Sequence, residues 1–267
     1  MDFAFSVAGF VVGFIVGMTG VGGGSLMTPI LVLFFGVKPS LAVGTDLLYA
    51  AITKSGGIWV HGRKGTIDWP VVRWMSAGSI PAAIVTLLVL RHLNSQGIDY
   101  QRAITSALGL ALVLTSLAII FRGQVIKFAK SPRFAHLGPS YERLKFPLVT
   151  VCGLVLGILV TLSSVGAGAL GTVMLFFLFP QWEARRIVGT DLAHAVPLTL
   201  IGGLGHAQLG SVDYMMLGSL LVGSLPGIYL GSHTGVKLPD GFVRPALAAM
   251  LLFVGLKFAA PVFAALH

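Results

Sequence analysis

Gly44-Thr45-Asp46-Leu47 returns 145 positions later as Gly189-Thr190-Asp191-Leu192, and both copies lie inside runs of apolar residues. The match continues without a gap. His61 falls on His206, Gly65 on Gly210, Asp68 on Asp213, and Gly78-Ser79-Ile80-Pro81 on Gly223-Ser224-Leu225-Pro226, so that twelve of the 38 columns from 44 to 81 are identical. Composition alone would give about three or four, so the chain reads as a duplication of one unit. With one residue of slippage, Val21-Gly22-Gly23-Gly24 also meets Val165-Gly166-Ala167-Gly168.

The unit is apolar throughout. Hydrophobic residues make up 55% of the 267 positions and charged residues 10%, with a mean hydropathy of +0.91; soluble domains carry roughly a quarter charged residues. Apolar segments fall at 3–35, 41–60, 69–90, 103–121, 146–179, 187–205, 214–231 and 243–263. Each is long enough to cross a hydrocarbon core of ~30 Å as a helix. The expected fold is therefore an all-α polytopic integral membrane protein. It has about eight membrane helices in two four-segment repeats, 1–121 and 146–267, joined by a basic connector, 122–145.

The first and fifth segments are too long for one straight span. They contain Gly20-Val21-Gly22-Gly23-Gly24-Ser25 and Ser163-Ser164-Val165-Gly166-Ala167-Gly168, and both read as helices broken partway. Duplicated halves with breaks at matching places point to the binding site of a secondary transporter. Four crossings per repeat would make the halves parallel and an odd number would invert them; sequence does not choose.

The formal net charge of +9 sits mainly in the gaps between apolar runs, which suits headgroup anchoring in a lipid bilayer and not a nucleic-acid groove. The start, Met1-Asp2-Phe3, lacks the basic region of a cleavable signal peptide, so the first apolar run reads as a retained membrane segment. The connector carries Arg122, Lys127, Lys130, Arg133, Arg143 and Lys145 against Glu142, and the positive-inside rule makes it cytoplasmic. Arg63 and Lys64 share its side on a simple count of crossings, whereas Arg91, Arg185 and Arg186 fall opposite. A re-entrant segment would change that parity. Arg73 is expected to anchor at the headgroups, and the single cysteine, Cys152, reads as a small buried hydrophobe.

The Gly-rich break, the Gly-Thr-Asp that follows it and the duplication together resemble the sulfite exporter TauE/SafE family of membrane permeases, over nearly the whole chain. The resemblance implies a carrier, linked to a proton or ion gradient, for sulfite, organosulfonates or related small sulfur-containing anions. It also implies a multi-pass protein of the bacterial inner membrane. The family's substrates are diverse, so the resemblance limits the class without choosing the molecule.

At each break, glycine lets the backbone leave helical geometry, and the resuming helix points free N–H groups and its positive dipole end into the membrane interior. That is an anion site in outline. Gly22, Gly23, Gly24 and Ser25, with Ser163, Ser164, Gly166, Ala167 and Gly168, are its candidate residues; close packing of helices through small residues is the alternative. Asp46 and Asp191 are carboxylates inside apolar segments, where a charge costs ~3 kcal/mol on insertion scales. They read either as proton carriers or as caps on the neighbouring broken helices, with Thr45 and Thr190 assisting. An ionised acid repels an anion, so coupling or scaffolding suits them better than ligation.

Lys54 and His194 are where the copies differ, aligning with Thr199 and Tyr49. Either cation could neutralise a bound oxyanion, and His194, three residues past Asp191, could pair with it on one helix face. For Lys54 the alternatives are pairing with an acid or snorkelling to an interface. His61 and His206, each followed by a glycine and an aspartate, read first as helix-end turn motifs in which Asp68 and Asp213 cap the next helix, and second as a gate or proton relay. Pro81 and Pro226 read as kinks.

No metal or cofactor is expected: the histidines lack HxxH or HxxxH spacing and there is no GxxxxGK[ST] loop. An intramembrane enzyme is disfavoured by the lack of a GxSxG or HExxH motif. A passive anion channel and a carrier for a small carboxylate stay open as alternatives, as does a homo-oligomer.

Overall fold

A computed structural model describes residues 3–19, 26–131, 138–233 and 240–264. Ten helices form among them: α1 (Phe3–Thr19), α2 (Met27–Phe34), α3 (Pro39–Arg63), α4 (Trp69–Ser95), α5 (Gln101–Ala129), α6 (Gly138–Ser163), α7 (Ala169–Leu178), α8 (Ala184–Gln208), α9 (Tyr214–His233) and α10 (Asp240–Ala264). Eight segments have become ten helices because each long segment divides in two, at α1/α2 and at α6/α7. The chain is all-helical and multi-pass. Five helices, α4, α5, α6 from Leu144, α8 and α9, are long and apolar enough to cross a membrane, and α1, α7 and the Pro245–Ala259 part of α10 are shorter apolar helices. α3 is less apolar than these, since it carries Asp46 and Lys54, but about half of it is buried.

The stretch 122–145 is not a free connector. α5 runs on to Ala129 and α6 begins at Gly138, so helix enters it from both sides. The extension is held by packing: the guanidinium of Arg122 lies 4.7 Å from the ring centre of Phe176, and the ammonium of Lys145 lies 5.7 Å from that of Phe179. The long cationic side chains cover apolar surface with their stems while their heads meet aromatic faces.

The turn signals behave as their chemistry requires. Gly65 and Gly210 adopt φ of 62° and 70°, in the left-handed region that favours glycine. The next aspartates then cap helices: Asp68 accepts from the Val71 N–H at 3.0 Å to start α4, and Asp213 accepts from the Met216 N–H at 2.9 Å to start α9. Pro81 and Pro226 sit inside the continuous helices α4 and α9.

Glycine contacts give the sense in which each helix runs. A Cβ on Gly9 or Gly13 would land on the backbone of Leu220 or Ser224, and one on Gly17 on Ile228, so α1 and α9 are parallel and backbone to backbone. Gly153 and Gly157 meet Met75 and Ser79 in the same way, so α6 is parallel to α4. In contrast Gly44 meets His206 while Gly57 meets Leu192, which makes α3 and α8 antiparallel. α5 and α10 are antiparallel too: Gly109 packs on Gly255, and the Ser116 hydroxyl donates to the Ala248 carbonyl at 2.7 Å. Helices at equivalent places in the two copies therefore run in opposite senses.

Two consequences follow. α4 is also parallel to α8, since Ser79 meets His194 and Leu87 meets Gly205, so α6 and α8 point the same way and α7 must carry the chain back between them. α3 is likewise parallel to α9, through Thr45 with Asp213 and Tyr49 with Ser224, and hence to α1, so α2 does the same in the first copy. The broken segments are re-entrant hairpins, and the crossings per copy are odd.

Basic side chains gather at one end of the bundle. Arg63 and Lys64 close α3, Arg185 and Arg186 open α8, and Arg122, Lys127, Lys130 and Lys145 lie where α5 ends and α6 begins. Arg186 donates to Asp68 at 2.5 Å, which ties the starts of α8 and α4 together at that end. Lys38, Arg91 and Arg102 lie at the other.

Candidate functional site

The two Gly-Thr-Asp motifs lie on α3 and α8, which cross at the centre, and each is completed by the turn motif of the other copy. Gly44 packs on His206 and the Ser211 carbonyl; Gly189 packs on His61 and Thr66. The Thr45 hydroxyl accepts the Asp213 N–H at 3.0 Å, and the Thr190 hydroxyl accepts the Asp68 N–H at 3.0 Å. Thr45 and Thr190 thus each bond a backbone N–H of the other copy. Replacing either with valine removes an acceptor and strands a backbone N–H, at about 1–3 kcal/mol. Thr45→Val and Thr190→Val should each lower the melting temperature of detergent-solubilised protein, and unchanged melting in both would show that these bonds contribute nothing.

Both histidines are hydrogen-bonded beside these motifs. His206 is fully buried and its Nε2 lies 2.9 Å from the Thr161 carbonyl, which fixes Nε2 as the protonated nitrogen and holds α8 to α6. His61 Nδ1 lies 2.7 Å from the Thr66 hydroxyl, closing its own turn.

At the second break the backbone departs from helix as expected. Ser164, Gly166 and Gly168 all have positive φ, of 58°, 117° and 123°. Serine has no freedom there comparable to glycine's, so Ser164 is held in a sparsely populated conformation, with its N–H donating to the Val160 carbonyl at 2.7 Å. Ser163 turns inward and binds its own break: its hydroxyl donates to the Leu159 carbonyl at 2.5 Å and accepts the Val165 N–H at 3.1 Å. The N–H groups of Leu170 and Thr172 are taken by the Gly166 and Gly168 carbonyls. Among the described residues no such partner meets the N–H groups of Gly166, Ala167, Gly168 and Ala169. The matching first-break residues Gly22, Gly23, Gly24 and Ser25 lie outside the described residues.

Three charged groups converge on this break. Lys54, 7% exposed, donates from Nζ to the Ala167 carbonyl at 2.9 Å. It does not snorkel and closes no ion pair among the described residues, yet it lies within electrostatic reach of both Asp46 and Asp191. Asp46, on α3, accepts at Oδ2 from the Thr28 N–H at 3.2 Å and the Thr28 hydroxyl at 2.5 Å, so it caps α2. Ser164 sits beside the carboxylate, with its hydroxyl outside strict hydrogen-bond geometry to Oδ1, and neither atom has another partner among the described residues. Asp191, 2% exposed, forms no hydrogen bond among the described residues and lies against Gly171 in the first turn of α7.

His194 does not pair with Asp191. Its Nε2 lies 2.8 Å from the Ser79 hydroxyl on α4 and its Nδ1 has no partner. The repeat makes sense of this, for Tyr49, the residue aligned with His194, faces Ser224, which is aligned with Ser79. The serines of the Gly-Ser-x-Pro elements therefore point at the central helices. Thr28, Gly171, Ser79 and Ser224 border this cluster and were not among the expected site residues; the repeated Gly-Ser marked the two serines, and nothing in the sequence marked Thr28 or Gly171. A cavity of about 280 Å³ between α4 and α8, lined by Leu87, Leu88, Arg91 and Leu204 among others, lies away from this cluster.

The family described as Sulfite exporter TauE/SafE matches residues 5–258. Among curated proteins the chain is 37% identical to the "Probable membrane transporter protein YjnA" of Bacillus subtilis, over 96% of this chain and 99% of that one. It is 27% identical to the "Probable membrane transporter protein YdhB" of the same organism, over 91% and 96%. It is also 24% identical to a probable membrane transporter protein of Methanocaldococcus jannaschii, over 94% and 92%. No solved structure matches the chain.

Proposed function

As the chain belongs to the Sulfite exporter TauE/SafE family of membrane transporters, we propose that it is a secondary transporter of a small sulfur-containing anion such as sulfite or an organosulfonate. It works by alternating access and is coupled to a proton gradient. The observation that carries this reading is the buried trio of Lys54, Asp46 and Asp191 at a break whose N–H groups are free to receive an anion. With all three ionised the trio carries one net negative charge and repels an anion. One proton makes it neutral and lifts that repulsion, so anion and proton favour each other's binding. The candidate ligands are Lys54, Ser164 and the N–H groups of 166–168, with His194 at the edge and Gly22 to Ser25 as their counterparts in the first copy.

The two stretches 1–121 and 146–267 are, on this reading, inverted copies of one unit about an axis in the membrane plane, the architecture in which midplane sites form between repeats. The same inversion removes the conflict in charge placement. Arg185 and Arg186 now join Arg63, Lys64 and the 122–145 region on one face, leaving Lys38, Arg91 and Arg102 on the other, and the richer face is cytoplasmic in the bacterial inner membrane. In a Cys152→Ala background, Ser95→Cys should react with an impermeant maleimide in intact spheroplasts, and Lys127→Cys only after lysis. The reverse pattern would overturn the orientation.

The transport reading is tested in proteoliposomes. Labelled sulfite should accumulate against its gradient when an opposing pH gradient is imposed, with protons moving in fixed ratio, and an organosulfonate should compete. Flux without proton movement would instead identify a passive anion channel, and competition by small carboxylates alone would move the substrate class.

A further inference from the structure

We infer that the two matched acids divide their work: Asp191 takes up and releases the coupled proton, while Asp46 is a fixed cap on α2. The inference rests on the proton-coupled reading above and assigns its chemistry to one residue.

The repeat makes the acids equivalent in sequence, and their surroundings make them different. Asp46 Oδ2 is committed twice to Thr28, through N–H and hydroxyl, and an ionised carboxylate accepts those bonds more strongly than the carbonyl oxygen of a neutral acid does. Asp191 has no such commitment. It is buried, accepts no hydrogen bond among the described residues, and its Oδ1 occupies the place where any side chain at position 171 would begin. Position 171 is glycine where the slipped register puts Met27 in the first copy, and Thr172, aligned with Thr28, bonds the Gly168 carbonyl and not the acid.

The charged and titratable groups that face Asp191 are few. From α3 come Lys54 and, beyond it, Asp46. From α8 itself comes His194, held by Ser79 of α4. α7 presents Gly171, and α6 presents the apolar Leu156 beside it. Lys54 is therefore the nearest compensating charge, and it is tied to the Ala167 carbonyl, on the backbone where the anion is read. An anion arriving there draws on Lys54, and Asp191 answers by holding a proton. No covalent step is involved; one proton binds on one face and leaves on the other.

The test compares Asp46→Asn and Asp191→Asn in proteoliposomes, reading gradient-driven sulfite accumulation, proton co-movement, and sulfite counterflow at equal pH, which needs no net proton transfer. Asp191→Asn should lose accumulation and proton movement while keeping counterflow, with its rate no longer dependent on pH. Asp46→Asn should melt at a lower temperature, and whatever sulfite it moves, even at reduced flux, should keep the wild-type proton-to-sulfite ratio and pH dependence. If Asp191→Asn does not fold, Gly171→Ala supplies the second reading: it crowds the carboxylate and should displace the pH profile of transport, whereas Met27→Ala should not. Proton movement that survives in Asp191→Asn, or a proton-to-sulfite ratio that falls in Asp46→Asn alone, overturns the assignment. A wild-type protein that moves sulfite without protons overturns it as well, and is recognised as a failure of the coupled-carrier reading because it appears before any substitution.

Discussion

Lys54→Met should abolish sulfite uptake, by about 100-fold or more, while the protein still inserts and can be purified. Lys54 is the one lysine or arginine buried among the described residues, and its ammonium is bound to the carbonyl of Ala167 in the middle of the second break. Methionine keeps much of the length and removes the charge. The arriving anion then loses its charged donor, and truncating one partner of a buried hydrogen-bonded charge pair costs about 3–5 kcal/mol of binding. At 1.36 kcal/mol per tenfold that is roughly 100-fold to several thousand-fold in binding or rate. Lys54→Arg keeps the charge but not the compact ammonium, so it should fall between the two. The measurement is initial-rate uptake in proteoliposomes beside a thermal-shift assay. Sulfite should raise the melting temperature of the wild type and leave that of Lys54→Met unmoved. Uptake by Lys54→Met at the wild-type rate would remove Lys54, and the trio with it, from the transport cycle.

How far the sequence carried the architecture can be traced residue by residue. Composition and the Gly44-to-Pro81 repeat were enough for an all-helical, multi-pass chain with an internal symmetry, because hydropathy and duplication are written locally. The turn chemistry of Gly65, Asp68, Gly210 and Asp213 was legible for the same reason. The direction of the second copy was not, since it depends on whether α2 and α7 return the chain, and eight or ten apolar residues spell neither a crossing nor a return. The charge rule held the clue: Arg185 and Arg186 looked misplaced only because each broken segment was counted as one crossing.

The candidate site shows the same division. Its inventory, Asp46, Lys54, Asp191, His194 and the break at Ser163 to Gly168, followed from charged or flexible residues inside apolar segments. Its pairing did not. His194 was matched to Asp191 by helical spacing, yet the α4 serine opposite it forms the bond, a contact between residues 115 positions apart. Thr45 and Thr190 likewise bond across the copies and not along their own helices. Local spacing finds candidates, and packing between the copies decides which of them meet.

That interlocking makes the second large effect a matter of single methyl groups. Gly153→Ala should destabilise the protein by roughly 3 kcal/mol or more, whereas Gly56→Ala, the same change on an exposed stretch of α3, should stabilise it by about 0.5–1 kcal/mol. A Cβ on Gly153 would fall on the Met75 carbonyl, which is backbone and cannot rotate away, and the neighbouring contact of Gly157 with Ser79 would have to open with it. Around Gly56 there is nothing within 4 Å, and only the helix propensity changes. On the other side of the bundle Gly13 meets Ser224 across α1 and α9 as Gly157 meets Ser79 across α6 and α4, so Gly13→Ala should repeat the loss. In both places the first helix of one copy is seated on the fourth helix of the other. Neither copy can therefore tilt as a block without unseating these glycines, and any rocking motion must move α1 with α9 and α6 with α4. Thermal unfolding in detergent with sulfite absent separates these outcomes. Equal melting of Gly153→Ala, Gly13→Ala and wild type would mean that the backbones do not approach so closely, and the coupled pairs would lose their basis.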